Sequence, residues 1–163
     1  MRDVAETSRA SKALIHHHFG SKEELYSAVK NRVIDRYWET QQPQFNMTGN
    51  GAKFLVEASR TFFHFCRDNP QVGRLGAWAQ LEGDHTPWPG VEKICPLVIE
   101  RICKAQQEGV LGGGLHPVLL MTALTALVTF WWQFKEAHAD QFSDYPHPET
   151  LDADYFDQAM QIF

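Results

Sequence analysis

The sequence predicts an all-α protein, and three observations carry that reading. Apolar residues recur at three-and-four spacing along the long segments, as on one face of an amphipathic helix. The strict alternation of a half-buried strand is found nowhere. The punctuation between segments, Asn69-Pro70, Gly109 and the run Gly112 to Gly114, is that of helix ends and helix–helix connections. With 163 residues, 44% of them hydrophobic and 12% aromatic, the chain can bury a substantial core in one domain plus a small appendage.

In chain order, the stretch from Val4 to Leu25 reads as a helix, a tight turn, a second short helix and the capped start of a third. Val4 and Ala5 begin an apolar stripe that Ala10, Leu14 and Ile15 continue after the turn. Ser11 is a good N-cap for the helix carrying Lys12 to His18, and Gly20 stops it. Ser21 with Glu24 forms a capping box, so a new helix starts at Lys22 and presents its N–H groups to a nearby anion, phosphate above all.

Val4, Ala5, Ser11, Ile15, His18, Phe19, Ser21, Lys22, Glu23 and Leu25 together resemble the helix-turn-helix of the TetR-type transcriptional repressors. The resemblance implies operator DNA as a partner, read by Ser11, Lys12, Ala13, His16 and His17 on the short helix, with Lys22 on a phosphate. Three positions depart from the family pattern: Arg9 stands where the turn usually has glycine, Ser8 replaces a small residue, and His16 replaces a phosphate-touching tyrosine. Arg9 at positive φ would be strained by roughly 1 kcal/mol or more, unless the turn is built differently. The family also places a supporting helix before this motif, whereas here Met1 falls in mid-domain. Either the sequence is a fragment or an early start is missed, or the protein works without a complete DNA-binding domain.

The helix from Lys22 is expected to run to about Gln42, ended by Pro43, with Leu25, Val29, Arg32, Val33, Arg36 and Tyr37 at three-and-four spacing. That sets a boundary between a partial DNA-binding unit with its connecting helix, 1–42, and a helical ligand-binding and dimerisation domain, 43–163. After a loop at Thr48 to Gly51, helices are expected over Ala52–Asp68, about Gln71–Leu81, Val91–Gln107, Pro117–His138 and from Leu151 to Phe163. Pro96 either kinks the Val91 helix or, if that helix begins near Cys95, simply occupies its first turn.

Charge is unevenly placed. Residues 1–42 hold seven Lys/Arg (Arg2, Arg9, Lys12, Lys22, Lys30, Arg32, Arg36) against six acids (Asp3, Glu6, Glu23, Glu24, Asp35, Glu39), a net of +1. The remainder, eight against fourteen, is −6, so only the N-terminal part is neutral enough to approach a polyanion. Cys66, Cys95 and Cys103 form no CxxC, and the last two sit eight residues apart on one helix, about 12 Å along its axis, which forbids a disulfide. Reduced thiols, the charged residues directly after Met1 and the threonines within 118–134 suit a cytoplasmic protein with no leader and no membrane span.

Other residue groups carry little chemistry. His16, His17 and His18 point about 100° apart on a helix and cannot chelate one ion. Gly112 to Gly114 lack the GK[ST] ending of a phosphate loop. Glu82, Asp84 and His85 lie in a proline-containing loop where solvated side chains are expected rather than a metal. His64 and Cys66 face different ways. No cofactor, metal site or catalytic pair is expected, and an enzyme is disfavoured.

The aromatic surplus is the remaining signal. Packing accounts for most of it, but Phe62, Phe65, Cys66, Trp78, Ile94, Val98, Leu127 and Trp131 are expected to line an apolar cavity for an uncharged, flat or aliphatic effector. The Pro117 helix places Leu120, Leu124, Leu127, Trp131 and Phe134 on one side. Thr122, Thr125, Thr129, Trp132 and Gln133 are assigned to a homodimer interface. The expected protein is a ligand-released dimeric regulator on a palindromic operator; the alternative is a dimeric helical ligand-binding or scaffold protein without DNA binding.

Overall fold

Each expected helix forms in the computed structural model, which describes residues 2–45, 51–88 and 90–162. They are α1 (Arg2–Ser8), α2 (Lys12–Phe19), α3 (Lys22–Phe45), α4 (Gly51–Asp68), α5 (Pro70–Leu81), α6 (Val91–Gln107), α7 (Pro117–Phe134) and α8 (Leu151–Met160). Among the described residues there is no strand. Most of the expected loop at Thr48 to Gly51, along with Pro89 and Phe163, lies outside the described residues.

The ends of α3 and α7 differ from expectation for local reasons, and α6 decides between the two readings of Pro96. Pro43 does not end α3, which continues to Phe45. A proline near a helix C-terminus removes the hydrogen bond to the carbonyl four residues back, here on exposed Glu39, where water can replace the lost donor. The extra residues are held from outside: the Phe45 ring lies 5.3 Å from those of Trp38 and Phe54, and Arg101 donates to the Phe45 carbonyl at 3.3 Å. Likewise α6 starts at Val91 and keeps Pro96 inside, leaving the carbonyl of exposed Glu92 to solvent. Finally, α7 ends at Phe134 and the chain goes on in tighter 3-10 turns, Lys135–Phe142. This folds Phe142 back to 5.4 Å from Trp131 and lets Lys135 reach Asp152 at 3.0 Å.

The core forms two layers about α4. Phe54 and Leu55 pack with Ile102 of α6 and with Leu120 and Leu124 of α7. About two turns further along α4, Phe63 packs with Val128 and Trp131 of α7 and Phe156 of α8. The first layer needs a close approach, because a Cβ on Gly51 would stand 2.7 Å from that of Ala105. Buried Gln41, donating to the Ala58 carbonyl at 3.3 Å, ties α3 to α4. The Gly112 to Gly114 segment is a connection: Gln106 donates to the carbonyls of Gly112 (3.1 Å) and Leu115 (2.8 Å) and so holds the turn toward α7.

Candidate nucleic-acid interface

The turn between α1 and α2 takes the conformation that glycine favours despite its arginine: Arg9 has φ 57°, in the left-handed region. Ser11 then caps α2, its hydroxyl accepting from the Leu14 N–H at 3.1 Å. Ile15 is the buried anchor of this helix, whereas Leu14 and Val4 of the expected stripe remain exposed. The capping box at the start of α3 is complete, with Glu24 N–H donating to Ser21 Oγ at 3.0 Å and Ser21 N–H to Glu24 Oε2 at 2.7 Å.

On this frame Ser11, Lys12, Ala13, His16 and His17 are all exposed on α2. His16 is partly committed, because its Nδ1–H donates to the Gly20 carbonyl at 2.8 Å. That contact closes the helix end and commits Nδ1. Lys22 is exposed at the N-terminus of α3, with Nζ 5.2 Å from the ring centre of Trp78.

The residues expected to line one cavity are spread over several places. Phe62, Cys66 and Trp131 belong to the layer around Phe63. Val98 belongs to the layer around Ile102. Ile94 is buried on α6, and Leu127 gives its carbonyl to the Tyr155 hydroxyl at 2.8 Å. Trp78 is 39% exposed and stands edge-on to Tyr26 of α3, so it faces the DNA-reading unit. Phe65 does border a half-open cleft of about 130 Å³ between α3 and the α4–α5 corner, lined by Val29, Val33, Phe65 and Val72 with Arg32, Arg36, Asn69 and Gln71. Its wall is mostly apolar, as the sequence suggests, although polar side chains contribute to the lining.

Tyr37, which the sequence placed on the apolar stripe of α3 with no site role, is deeply buried. It packs against Phe62 and Phe65 with ring centres 5.3 and 5.2 Å away, and burial first, then the Cys66 and Cys95 thiols, pushes its phenol well above the usual range. Burial likewise holds the Cys66 thiol at about 12, far from a reactive thiolate. All three cysteines are free. Among the described residues no group of three or more His, Cys, Asp or Glu comes together as a metal site. Asp84 instead pairs with Lys30 at 2.9 Å.

On α7 the three threonines sit toward the outside, and each hydroxyl donates to the carbonyl one turn back: Thr122 to Val118, Thr125 to Met121, Thr129 to Thr125, at 2.8 to 2.9 Å. Around them Val118, Leu119, Phe130 and Phe134 are exposed, Leu119 by 63%. Gln133 is exposed, but Trp132 turns inward, its ring 4.7 Å from Phe63, and Phe134 leaves the inner side on which the sequence placed it. Residues 117–142 are long and apolar enough to cross a membrane by length and composition.

A capped helix-turn-helix joined by a continuous helix to a larger helical body is the architecture of a one-component transcriptional regulator. Residues 1–29 match the family model of bacterial regulatory proteins of the tetR family, and residues 56–153 that of the tetracyclin repressor-like C-terminal domain. The chain belongs to the TetR family of transcriptional regulators. It is also similar to the HTH-type transcriptional activator FasR of Mycolicibacterium smegmatis, 31% identical over 91 residues. That match takes in 56% of this chain and 40% of the relative.

Proposed function

We propose that this chain is a ligand-responsive repressor that binds a palindromic operator as a homodimer and is released by a small apolar or aromatic effector. Residues 1–42 form the DNA-reading unit with its connecting helix, and residues 43–163 the effector and dimer body. The supporting observation is the pair of complete caps, Ser11 on α2 and Ser21/Glu24 on α3, which hold the exposed α2 residues and the N-terminus of α3 in one frame. α2 enters the major groove, and α3 meets phosphate with its free N–H groups and Lys22.

The dimer forms through α7 and α8, and the uncharged exposed side of α7 supports this: its large apolar side chains and self-bonded threonines make a patch that a second copy would cover. The same pairing accounts for an apolar run of membrane length without a membrane. The effector site includes Phe65 and the cavity it borders. A second reading, activation in place of repression, has one observation in its favour: the similar FasR protein is described as an activator.

The test is a duplex selected from a random pool by the unaltered chain. Lys22→Ala should weaken all duplexes alike and lower the salt slope by about one, whereas Lys12→Ala or His17→Ala should change which sequence is preferred. A selected duplex bound equally well by all three variants would remove the interface. Transcription from a promoter carrying that duplex then separates repression from activation.

A further inference from the structure

Lys30 is 3% exposed, and among the described residues it is the one buried residue that carries a formal charge. A buried ammonium is costly unless paired, and a well-packed apolar residue would fill the same space with no such cost. Its surroundings are specific. Nζ lies 2.9 Å from Asp84 Oδ2, with the ring centres of Tyr26 and Trp88 at 5.1 and 5.8 Å. The Asp84 carboxylate is itself fixed, since Oδ1 accepts from the Thr86 N–H and the Asp84 N–H donates to the Ala79 carbonyl at the end of α5, both at 2.9 Å.

Lys30 is part of a row. Lys22, Tyr26, Lys30 and Ile34 follow one another at intervals of four along α3 and form a single ridge. Every member meets the segment 78–90: Lys22 and Tyr26 meet Trp78, Lys30 meets Asp84 and Trp88, and Ile34 stands so close to Gly90 that a Cβ there would be 2.8 Å from its Cγ2. The ridge begins in the part of the chain that matches the DNA-binding family model, and its counterpart lies in the part that matches the C-terminal one.

We infer that the α5–α6 loop is a latch on the DNA-reading unit, and that Lys30, clasped by Asp84, Tyr26 and Trp88, is the positioning residue that sets the angle at which α2 and the start of α3 are presented to DNA. Lys30 does not touch DNA; it acts through α3. A movement of α5 or its loop therefore reaches α2 by way of this ridge. The inference rests on the DNA-reading role proposed above, and the experiment has an arm that does not.

In hydrogen-exchange measurements on the full chain, Lys30→Met removes the charge while keeping an unbranched stem between the rings. It should speed exchange by about fivefold or more in residues 12–29 and 82–90, leaving 54–66 and 120–131 unchanged. Asp84→Asn, which breaks the pair from the other side, should give the same regional pattern, and Lys30→Arg should restore protection. On the selected duplex, Lys30→Met should lose about fivefold or more in affinity with no change in salt slope. Exchange that rises uniformly, or not at all, in either variant overturns the latch. A slope reduced by about one overturns the positioning role, because Lys30 would then be a phosphate contact. If the unaltered chain selects no duplex, the DNA-reading proposal fails, and the exchange pattern alone decides whether the ridge is a latch.

Discussion

Arg9 shows how a single residue can work against the motif that contains it. Its φ of 57° costs an L-residue about 1 kcal/mol or more, and glycine takes the same conformation freely. Arg9→Gly should therefore raise the urea midpoint, by a margin corresponding to about 1 kcal/mol less the greater entropy of glycine when unfolded. An unchanged or lower midpoint would mean that the arginine side chain offsets its own backbone strain. Asp84 gives a residue-scale prediction in pH. Its hydrogen bonds to Thr86 and Lys30 hold the carboxyl at about 2, below the unfolded value, so its stabilising effect is complete above about pH 4 and lost as pH falls toward 2. Denaturation midpoints of the native chain and Asp84→Asn should differ by a constant amount at neutral pH and converge over that acidic window. The caps at Ser11 and Ser21/Glu24 were legible in the sequence because donor and acceptor lie within one helical turn of each other. Lys30 and Asp84, separated by 54 positions, left no such trace.

Among the elements, the sequence located every helix, and its errors fall at ends where a distant partner decides the outcome. Arg101 and the Phe54 ring carry α3 past Pro43, and Asp152 draws Lys135 into the tighter turns after α7. Local propensity contains neither contact. The aromatic surplus misled for a related reason: periodicity assigns a face but not a depth, so Trp78 and Trp131 looked equivalent. One is exposed at the seam with α3, and the other is buried, its Nε1–H donating to Asp152 at 2.9 Å. For α7 the prediction concerns its outer side. Thr122→Val and Thr125→Val should leave the proposed dimer intact in sedimentation, because those hydroxyls serve their own backbone. Ala126→Glu on the same exposed side should produce monomers at micromolar concentration by burying an unpaired charge. Equal behaviour of the two sets would place the interface elsewhere.

For the whole molecule, the two family matches meet across α3, which is packed on one side by the 78–90 segment and on another by the cavity at the α4–α5 corner. This cleft is half open, and its volume of about 130 Å³ gives room for one ring of the size that an enclosed engineered void of roughly 150 Å³ admits. A single-ring hydrocarbon should therefore change tryptophan fluorescence and reduce duplex affinity, and Phe65→Leu should extend the response to larger rings. Rings that bind without moving duplex affinity would separate the cavity from regulation. Of the residues that the sequence assigned to an apolar chamber only Phe65 borders this space, and periodicity along α3 did not assign Arg32 and Arg36 to its edge.

The threonines of α7 have one more implication. With each hydroxyl returned to its own helix, the outer side of α7 offers methyl groups and rings, with the small exposed Ala126 among them, and little that a partner must match bond for bond. Recognition there is a matter of contour. In the proposed dimer such a surface has few means of refusing a sister protein with the same relief, so the fidelity of pairing there would depend on where Leu119 and Phe130 protrude and on whether the opposite chain has room for them.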